Sequence, residues 1–569
     1  MRLLVLLLRN AFGLLFAALA LPLRARRARH RPEWVRFRLA HDPPYQATSR
    51  GWGRFRRVVP GTVRSLREFR EQVGRIVKDP RAKGVVVVLD GFTGSAAKRA
   101  TVALAFDEVR AAGKQVVGYA VSAGNGEFEL LCAADRILMP AAGRLELVGY
   151  AAEATAVGAG LRKLGVTAHF VRRGDHKTAP ELFTCDEASP IQRQTLEQML
   201  GERFAALVSA IARGRRLSAD VARERIDAGP YSARRALAVG LIDALVDEDD
   251  LGRSLAGLSV PAPADDKEPS KGARVAGYKA WAACLPVSPR AWRPLRRRVR
   301  VAVVPLAGMI VHGRGGGGGA GPRLCGSDDA AGALQAAAGD PRCRAIVLHI
   351  DSPGGSALAS ELILEQVKRA ARKKPVVAYF DQVAASGGYM AALGAKEIWA
   401  APLAIAGSIG VFAGKFDLSV LLQRLGVHQT LVTQGANAAL FSSSRAFTDP
   451  ERATLEATIE ETYQDFLAHV ALARKRTRDE IHARAEGRIY SGTAAVEAGL
   501  VDRTGLFDEA CARALELAGQ AGAGFELALF RPPAPRLTLL NALRLLGSAG
   551  VYALWYPWFE FPDRAGLSR

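Results

Sequence analysis

The chain of 569 residues repeats itself, and that duplication limits its fold more than any other feature. Asp79-Pro80-Arg81, the run Val85 to Leu89 and Asp90 return as Asp340-Pro341-Arg342, Ile346 to Ile350 and Asp351, 261 positions on. Gly94-Ser95-Ala96 returns as Gly355-Ser356-Ala357, and Lys163-Leu164-Gly165-Val166 as Arg424-Leu425-Gly426-Val427. Tyr231-Ser232 with Ala238 to Asp243 returns as Tyr490-Ser491 with Glu497 to Asp502, at an offset of 259. The matches stay in order, so each half is a fold of its own. Within each half apolar β-type runs alternate with helical patterns, as in Ala357 to Lys373, where Leu358, Leu362, Leu364, Val367 and Ala371 fall at helical spacing. Strand, glycine turn, helix, strand is a right-handed βαβ unit, and its repetition predicts an α/β fold with parallel sheets.

Five segments follow. Residues 1–40 form an apolar segment with a basic flank, 41–254 the first repeat, 255–298 a linker, 299–515 the second repeat, and 516–569 a tail. The linker assignment rests on its Pro, Ala, Lys and Arg content. Gly315 to Gly319 reads as a flexible loop.

Two segments of the second repeat carry chemistry. Asp351-Ser352-Pro353-Gly354-Gly355 follows the run Ala345 to Ile350, and Ala384-Ala385-Ser386-Gly387-Gly388-Tyr389 follows the run Val376 to Phe380. A strand ending in Gly-Gly leaves backbone N–H groups free to meet a negative oxygen, and a strand ending in Ala-Ser-Gly-Gly presents a hydroxyl on a tight, exposed turn. Either alone is an ordinary glycine turn. Together, at this spacing, they point to an acyl-transfer serine.

The repeats differ where this matters. Alignment sets Gly126 opposite Ser386, and Ala438 opposite Lys177 in Gly174-Asp175-His176-Lys177-Thr178-Ala179-Pro180. One half thus keeps a candidate nucleophile and the other a candidate base. A serine needs a base. The nine histidines form no triad pattern, and His176 alone stands near the candidates. Lysine serves if neutral, which takes a pKa depression of about 3 units from about 10.4, or about 4 kcal/mol. Desolvation supplies such a shift, and Asp175 would oppose it. A surface lysine in a polar turn is the competing reading. Ser408, in Ala406-Gly407-Ser408-Ile409-Gly410, is either a second hydroxyl that orients the lysine or a turn serine.

The net charge is +22, with seven arginines from Arg24 to Arg38 and six from Arg290 to Arg300. No nucleic-acid motif accompanies them, both clusters lie outside the segments that read as folded, and anionic lipid is the better partner. Leu3 to Leu23 is apolar except for Arg9 and Asn10, long enough for a spanning helix but weakened by its arginine. An anchor, an interfacial helix and a cleaved signal all fit. Leu537 to Leu546 reads as an amphipathic helix, and Trp555, Tyr556, Trp558, Phe559 and Phe561 as an interfacial aromatic cluster or a docking tail. Six cysteines without a CxxC pair support neither a disulfide framework nor a zinc site.

These motifs together resemble the long, tandem-domain signal peptide peptidase A family of serine–lysine proteases, over about residues 60 to 515. The resemblance implies a tandem Clp protease/crotonase-like fold with an N-terminal membrane segment. It implies Ser386 as nucleophile, Lys177 as general base and Ser408 as the group that orients the lysine. Backbone N–H groups at Gly354, Gly355 and Gly387 would form the oxyanion hole. It further implies no cofactor and no metal. The implied partners are peptide substrates such as signal peptide remnants, membrane lipids and further copies in a tetramer-like ring, with no nucleic acid. The implied location is the inner (cytoplasmic) membrane of a bacterium, with the side left open. His176 stands where the family usually has tyrosine. A crotonase-like acyl-CoA enzyme and a non-catalytic membrane scaffold on a protease fold are the alternatives.

Overall fold

Val85 to Leu89 is apolar without alternation, the pattern of a strand covered on both faces. In the computed structural model of the chain it forms the strand Gly84–Asp90, buried except at Asp90. The structure describes residues 2–19, 21–29, 31–46, 62–257, 272–285, 298–316, 323–531 and 552–554. They fall into two compact units, one from residues 1–150 and 203–297, the other from 151–202 and 298–560.

In the first unit a parallel sheet runs in the order Val275–Gly277, Trp34–Ala40, Gly84–Asp90, Gln115–Ala120, Arg136–Met139, Ala244–Leu245. Its helices start where serine caps them. Ser65 accepts from the N–H of Glu68, and the helix Leu66–Val77 buries Leu66, Phe69, Val73 and Ile76. Ser95 does the same for Ala96–Ala111.

The second unit repeats the plan. Phe525–Leu529, Val299–Ala307, Cys343–Ser352, Val376–Ala385 and Glu397–Ala400 are parallel neighbours, with Arg503–Thr504 beyond. Ser356 caps the helix Ala357–Ala371 through the N–H of Ala359. Its buried stripe is Ile363, Leu364, Val367 and Ala370, whereas Leu358 and Leu362, which fall at the same helical spacing, are 58% and 42% exposed. The same unit holds a second sheet, ordered Leu324–Gly326, Met309–Val311, Gly354–Ser356, Tyr552–Leu554, Val411–Asp417, Thr167–Arg173.

The duplication is visible in side-chain chemistry. Arg215 makes two bonds to Asp243 (2.9 and 2.7 Å), which accepts the N–H of Ile137 at 2.7 Å. Arg474 makes two bonds to Asp502 (3.0 and 2.7 Å), which accepts the N–H of Ile398 at 2.7 Å. Each pair ties a helix to a strand end through a planar fork.

Some sequence expectations change. The basic run after Arg24 is partly structural: Arg31 pairs with Asp79 at 2.7 Å, and Arg36 and Arg38 both reach Glu248 from the strand Trp34–Ala40. The Pro- and Lys-rich stretch 255–298 is not linker throughout, since Val275–Gly277 joins the sheet and Tyr278–Ala283 buries Trp281 completely. The apolar N-terminal segment forms the helices Arg2–Leu19 and Leu21–Ala28. No helix among the described residues is long and apolar enough to cross a membrane. Residues 317–319 of the glycine run, most of the linker, Leu537 to Leu546 and the aromatic cluster 555–561 lie outside the described residues.

Candidate active site

Ser386 stands at the end of the strand Val376–Ala385, where the chain turns into the helix Gly387–Ala392. Its φ is 54° and its ψ is −116°, a conformation L-residues seldom hold. Backbone bonds enforce it: the N–H of Ser386 donates to Gly407 O at 2.7 Å, and Met390 N–H donates to Ser386 O at 2.9 Å. The tight turn is as expected, but it is not exposed; Ser386 is 0% accessible.

Ser408 follows the strand Ile405–Gly407, also with positive φ (53°), and its N–H donates to Arg488 O at 2.6 Å. Lys177 comes from the loop after the strand Thr167–Arg173, which pairs antiparallel with Val411–Asp417 in the same compact unit. Three contacts hold this loop. His176 N–H donates to Glu486 O at 2.8 Å, and Arg172 Nη1 donates to Lys177 O at 3.2 Å and to buried Glu181 at 2.7 Å. Gly487 is the third: its φ is 81°, and a Cβ there would lie 2.3 Å from the Lys177 nitrogen.

The three side chains named from the sequence meet. Lys177 Nζ lies 2.8 Å from Ser386 Oγ, 3.0 Å from Ser408 Oγ and 3.0 Å from Ser408 O. Lys177 is fully buried, and burial pushes its pKa well below the ordinary lysine value. An ammonium would donate to all three oxygens. A neutral amine donates to the two Ser408 oxygens and takes the Ser386 hydrogen on its lone pair, the arrangement of a base poised on a nucleophile. Burial, followed by the Arg488 guanidinium, lowers the His176 pKa as well.

The glycines lie alongside. Gly355 N is 3.3 Å from the place a Cβ on Gly387 would occupy, so the two backbones are in close approach. A Cβ on Gly355 would fall 2.0 Å from Ile310 O, which restricts that position to glycine. The Gly354 N–H donates to Ser352 Oγ at 3.2 Å, and this hydroxyl donates to Gly308 O. The amide of Gly354 therefore has a partner already. The strand Gly354–Ser356 pairs with Met309–Val311 on one edge and, antiparallel, with Tyr552–Leu554 of the tail on the other.

Strand register corrects one alignment. Val383, Ala384 and Ala385 pair with Ile405, Ala406 and Gly407, as Ser122, Ala123 and Gly124 pair with Arg144, Leu145 and Glu146. The residue opposite Ser386 is thus Asn125, with Gly126 opposite Gly387. The Asn125 amide donates to Gly149 O at 2.5 Å and accepts from Val148 N–H at 3.1 Å. Leu147 occupies the place of Ser408. Sequence reasoning missed Asn125, the Ser408 carbonyl and the 486–488 loop. Gly487 was the one available signal for the last.

The family model for peptidase family S49 matches residues 108–259 and 368–521, once in each repeat. The chain is 31% identical over 455 residues to Protease 4 of Salmonella typhi, covering 78% of this chain and 71% of that one. It is 29% identical to Protease 4 of Haemophilus influenzae over 456 residues, with the same coverage of 78% and 71%. Among solved structures, ClpP1 from Listeria monocytogenes aligns with 32% of this chain and 84% of its own, at 16% identity and a TM-score of 0.21. The chain belongs to peptidase family S49 and is a serine protease.

Proposed function

We propose that the protein is a membrane-associated endopeptidase whose nucleophile is Ser386 and whose general base is Lys177. The observation that carries this reading is the 2.8 Å contact between a fully buried lysine amine and the hydroxyl of a serine on a strained turn. Ser386 Oγ attacks the peptide carbonyl while its proton passes to Lys177 Nζ. The oxyanion is met by the N–H groups of Gly355 and Gly387. Lys177 then returns the proton to the leaving amine, and the ester left on Ser386 is cleared by water activated by the same amine. Ser408 holds Nζ in place through two contacts.

Extended peptides suit this site, because the edge of Gly354–Ser356 already pairs with an extended segment of the chain. Signal peptide remnants and other apolar peptides are the proposed substrates. Membrane association is supported by the helix Arg2–Leu19, where Leu8, Phe12, Leu15 and Leu19 share a face and are 53%, 59%, 56% and 67% exposed. The chain is proposed to work as a ring of copies at the inner membrane of a bacterium, without metal or cofactor. Hydrolysis of a fluorogenic apolar peptide by the wild type, and its loss in Ser386→Ala and Lys177→Ala, tests the reading. Turnover retained in either variant overturns it.

A further inference from the structure

Lys177 and Ser408 come from opposite repeats, and one short segment holds both by its backbone. Glu486 O accepts the N–H of His176 at 2.8 Å, Gly487 N–H donates to Ile409 O at 2.8 Å, and Arg488 O accepts the N–H of Ser408 at 2.6 Å. The approach is close on the lysine side, where a Cβ on Gly174 would lie 2.4 Å from the carbonyl carbon of Glu486. A displacement of 486–488 therefore moves the amine and the hydroxyl beside it together.

This segment lies outside any helix or strand. The helix Arg478–His482 ends before it, and Glu486 and Gly487 both have positive φ, 54° and 81°. Tyr463, on the helix Asp449–Arg474 and only 2% exposed, reaches across to it. Its hydroxyl accepts the N–H of Glu486 at 3.4 Å and lies 2.9 Å from His482 Nδ1. A neutral imidazole takes the tyrosine hydrogen on Nδ1, so the bonds run in one direction, from Glu486 N–H to Tyr463 Oη and from Tyr463 O–H to His482. The other ring nitrogen, Nε2, faces the Glu486 carboxylate at 3.7 Å, and Arg488 lies 3.9 Å from the same carboxylate.

The first repeat shows the same stretch of chain without this anchor. At the offset of 259, Phe204 stands for Tyr463, Arg223 for His482 and Ala228 for Gly487. A shared contact fixes that alignment: Tyr231 donates to Arg225 O at 2.6 Å as Tyr490 donates to Arg484 O at 2.8 Å. In the first repeat the helix Ala219–Asp227 runs on through the counterpart of Glu486, and Ala228 N–H closes it on Glu224 O at 3.0 Å. The hydroxyl, its acceptor ring and the open segment are thus all missing from the repeat that has Asn125 and Leu147 in place of Ser386 and Ser408.

We propose that Tyr463, with His482 behind it, is a positioning residue for the reaction, holding 486–488 so that Lys177 Nζ and Ser408 meet Ser386 Oγ. The inference rests on the Ser386–Lys177 reading. Tyr463→Phe removes one oxygen and keeps the ring. Its kcat on the fluorogenic apolar peptide is expected to fall about 10- to 100-fold with KM unchanged, the cost of a misplaced catalytic group. The midpoint of its pH–rate profile is expected to move up toward the free lysine value of about 10.4, as water gains access to Nζ. His482→Leu should behave alike. His482→Asn, which keeps an acceptor near the place of Nδ1, should recover most of the loss.

Rates are taken per fluorophosphonate adduct at completion, so that unfolded protein does not count, and melting temperatures are read alongside. A Tyr463→Phe rate per adduct equal to that of the wild type, a midpoint that stays in place, or a His482→Asn no better than His482→Leu overturns the proposal. Ser386→Ala and Lys177→Ala are assayed in parallel. Turnover in either strikes the Ser386–Lys177 reading, whereas two inactive variants beside a fully active Tyr463→Phe strike this inference alone.

Discussion

The corner around Ser386 and the corner around Asn125 descend from one piece of chain, and they use a buried polar side chain in opposite ways. Asn125 spends its amide on two backbone groups, Gly149 O and Val148 N–H, and locks the turn. Ser386 has its backbone held by Gly407 and Met390, which leaves its hydroxyl to Lys177. Leu147 fills with carbon the place where Ser408 offers two oxygens. The first corner has become packing, and the second keeps a buried Ser–Lys contact, the proposed dyad, that packing alone would not select. The lesson is that a shared fold supplies the turn, while the side chain's hydrogen-bond partners decide between stability and chemistry.

That contrast breaks most sharply at the paired positions themselves. Ser386→Ala is expected to lower peptide turnover by at least about 10⁴-fold while the protein still unfolds cooperatively. Asn125→Ala is expected to leave turnover unchanged and to cost about 1–3 kcal/mol, because a buried N–H and C=O lose their partner. Denaturant melts and steady-state rates on the two variants check both halves; an active Ser386→Ala, or an Asn125→Ala that loses rate but no stability, erases the distinction.

Lys177→Arg is expected to be as inactive as Lys177→Ala, since arginine does not deprotonate in a protein. In the wild type the rate should rise with pH to a midpoint well below the free lysine value of about 10.4, following the downward shift that burial imposes. A rise centred at that free value would mean the amine is not desolvated in solution. A wild-type rate for Lys177→Arg would make the residue a source of charge only.

A smaller effect separates Ser408 from Leu147. Ser408→Ala should slow turnover by about tenfold, one hydrogen bond to Nζ being lost while the Ser408 carbonyl remains. Leu147→Ala should cost about 2–5 kcal/mol of stability with no change in rate. The smallest effect is on stability alone. Because folding lowers the Lys177 pKa, the unfolded chain binds more protons between the folded value and about 10.4, and stability rises with pH across that window. Lys177→Met should remove this contribution, so its advantage over the wild type at neutral pH shrinks toward pH 10. An advantage that does not vary with pH would contradict the shift.

Much of this was legible in the sequence because it rests on local patterns. The duplication, the parallel βαβ units and the Ser386 turn follow from runs and motifs a few residues long, whereas Lys177 and Ser408 were candidates that only the family resemblance favoured over a surface lysine and a turn serine. What was not legible depends on register and on distant backbone. Asn125 was missed because the glycines of Ser-Ala-Gly-Asn-Gly draw the match one residue out of step; the offset of 261 on either side and the strand pairing both set Asn125 opposite Ser386. The burial of Ser386 was missed because a glycine turn after a strand is ordinarily exposed. The structured part of the Pro-rich stretch, with Trp281 in the core, was hidden by composition that favours linkers. Arg36 and Arg38 read as free charge because their partner Glu248 lies more than 200 positions away.

The central claim is that one corner of the duplicated chain carries the chemistry, through a serine activated by a neutral lysine. Labelling of the full-length protein with a fluorophosphonate across pH, followed by mass mapping, tests it directly. The account predicts one adduct per chain, on Ser386, formed at a rate that rises with pH below the free lysine value and is lost in Lys177→Arg. An adduct on another serine, or labelling of Ser386 that proceeds equally well in Lys177→Arg, would contradict it.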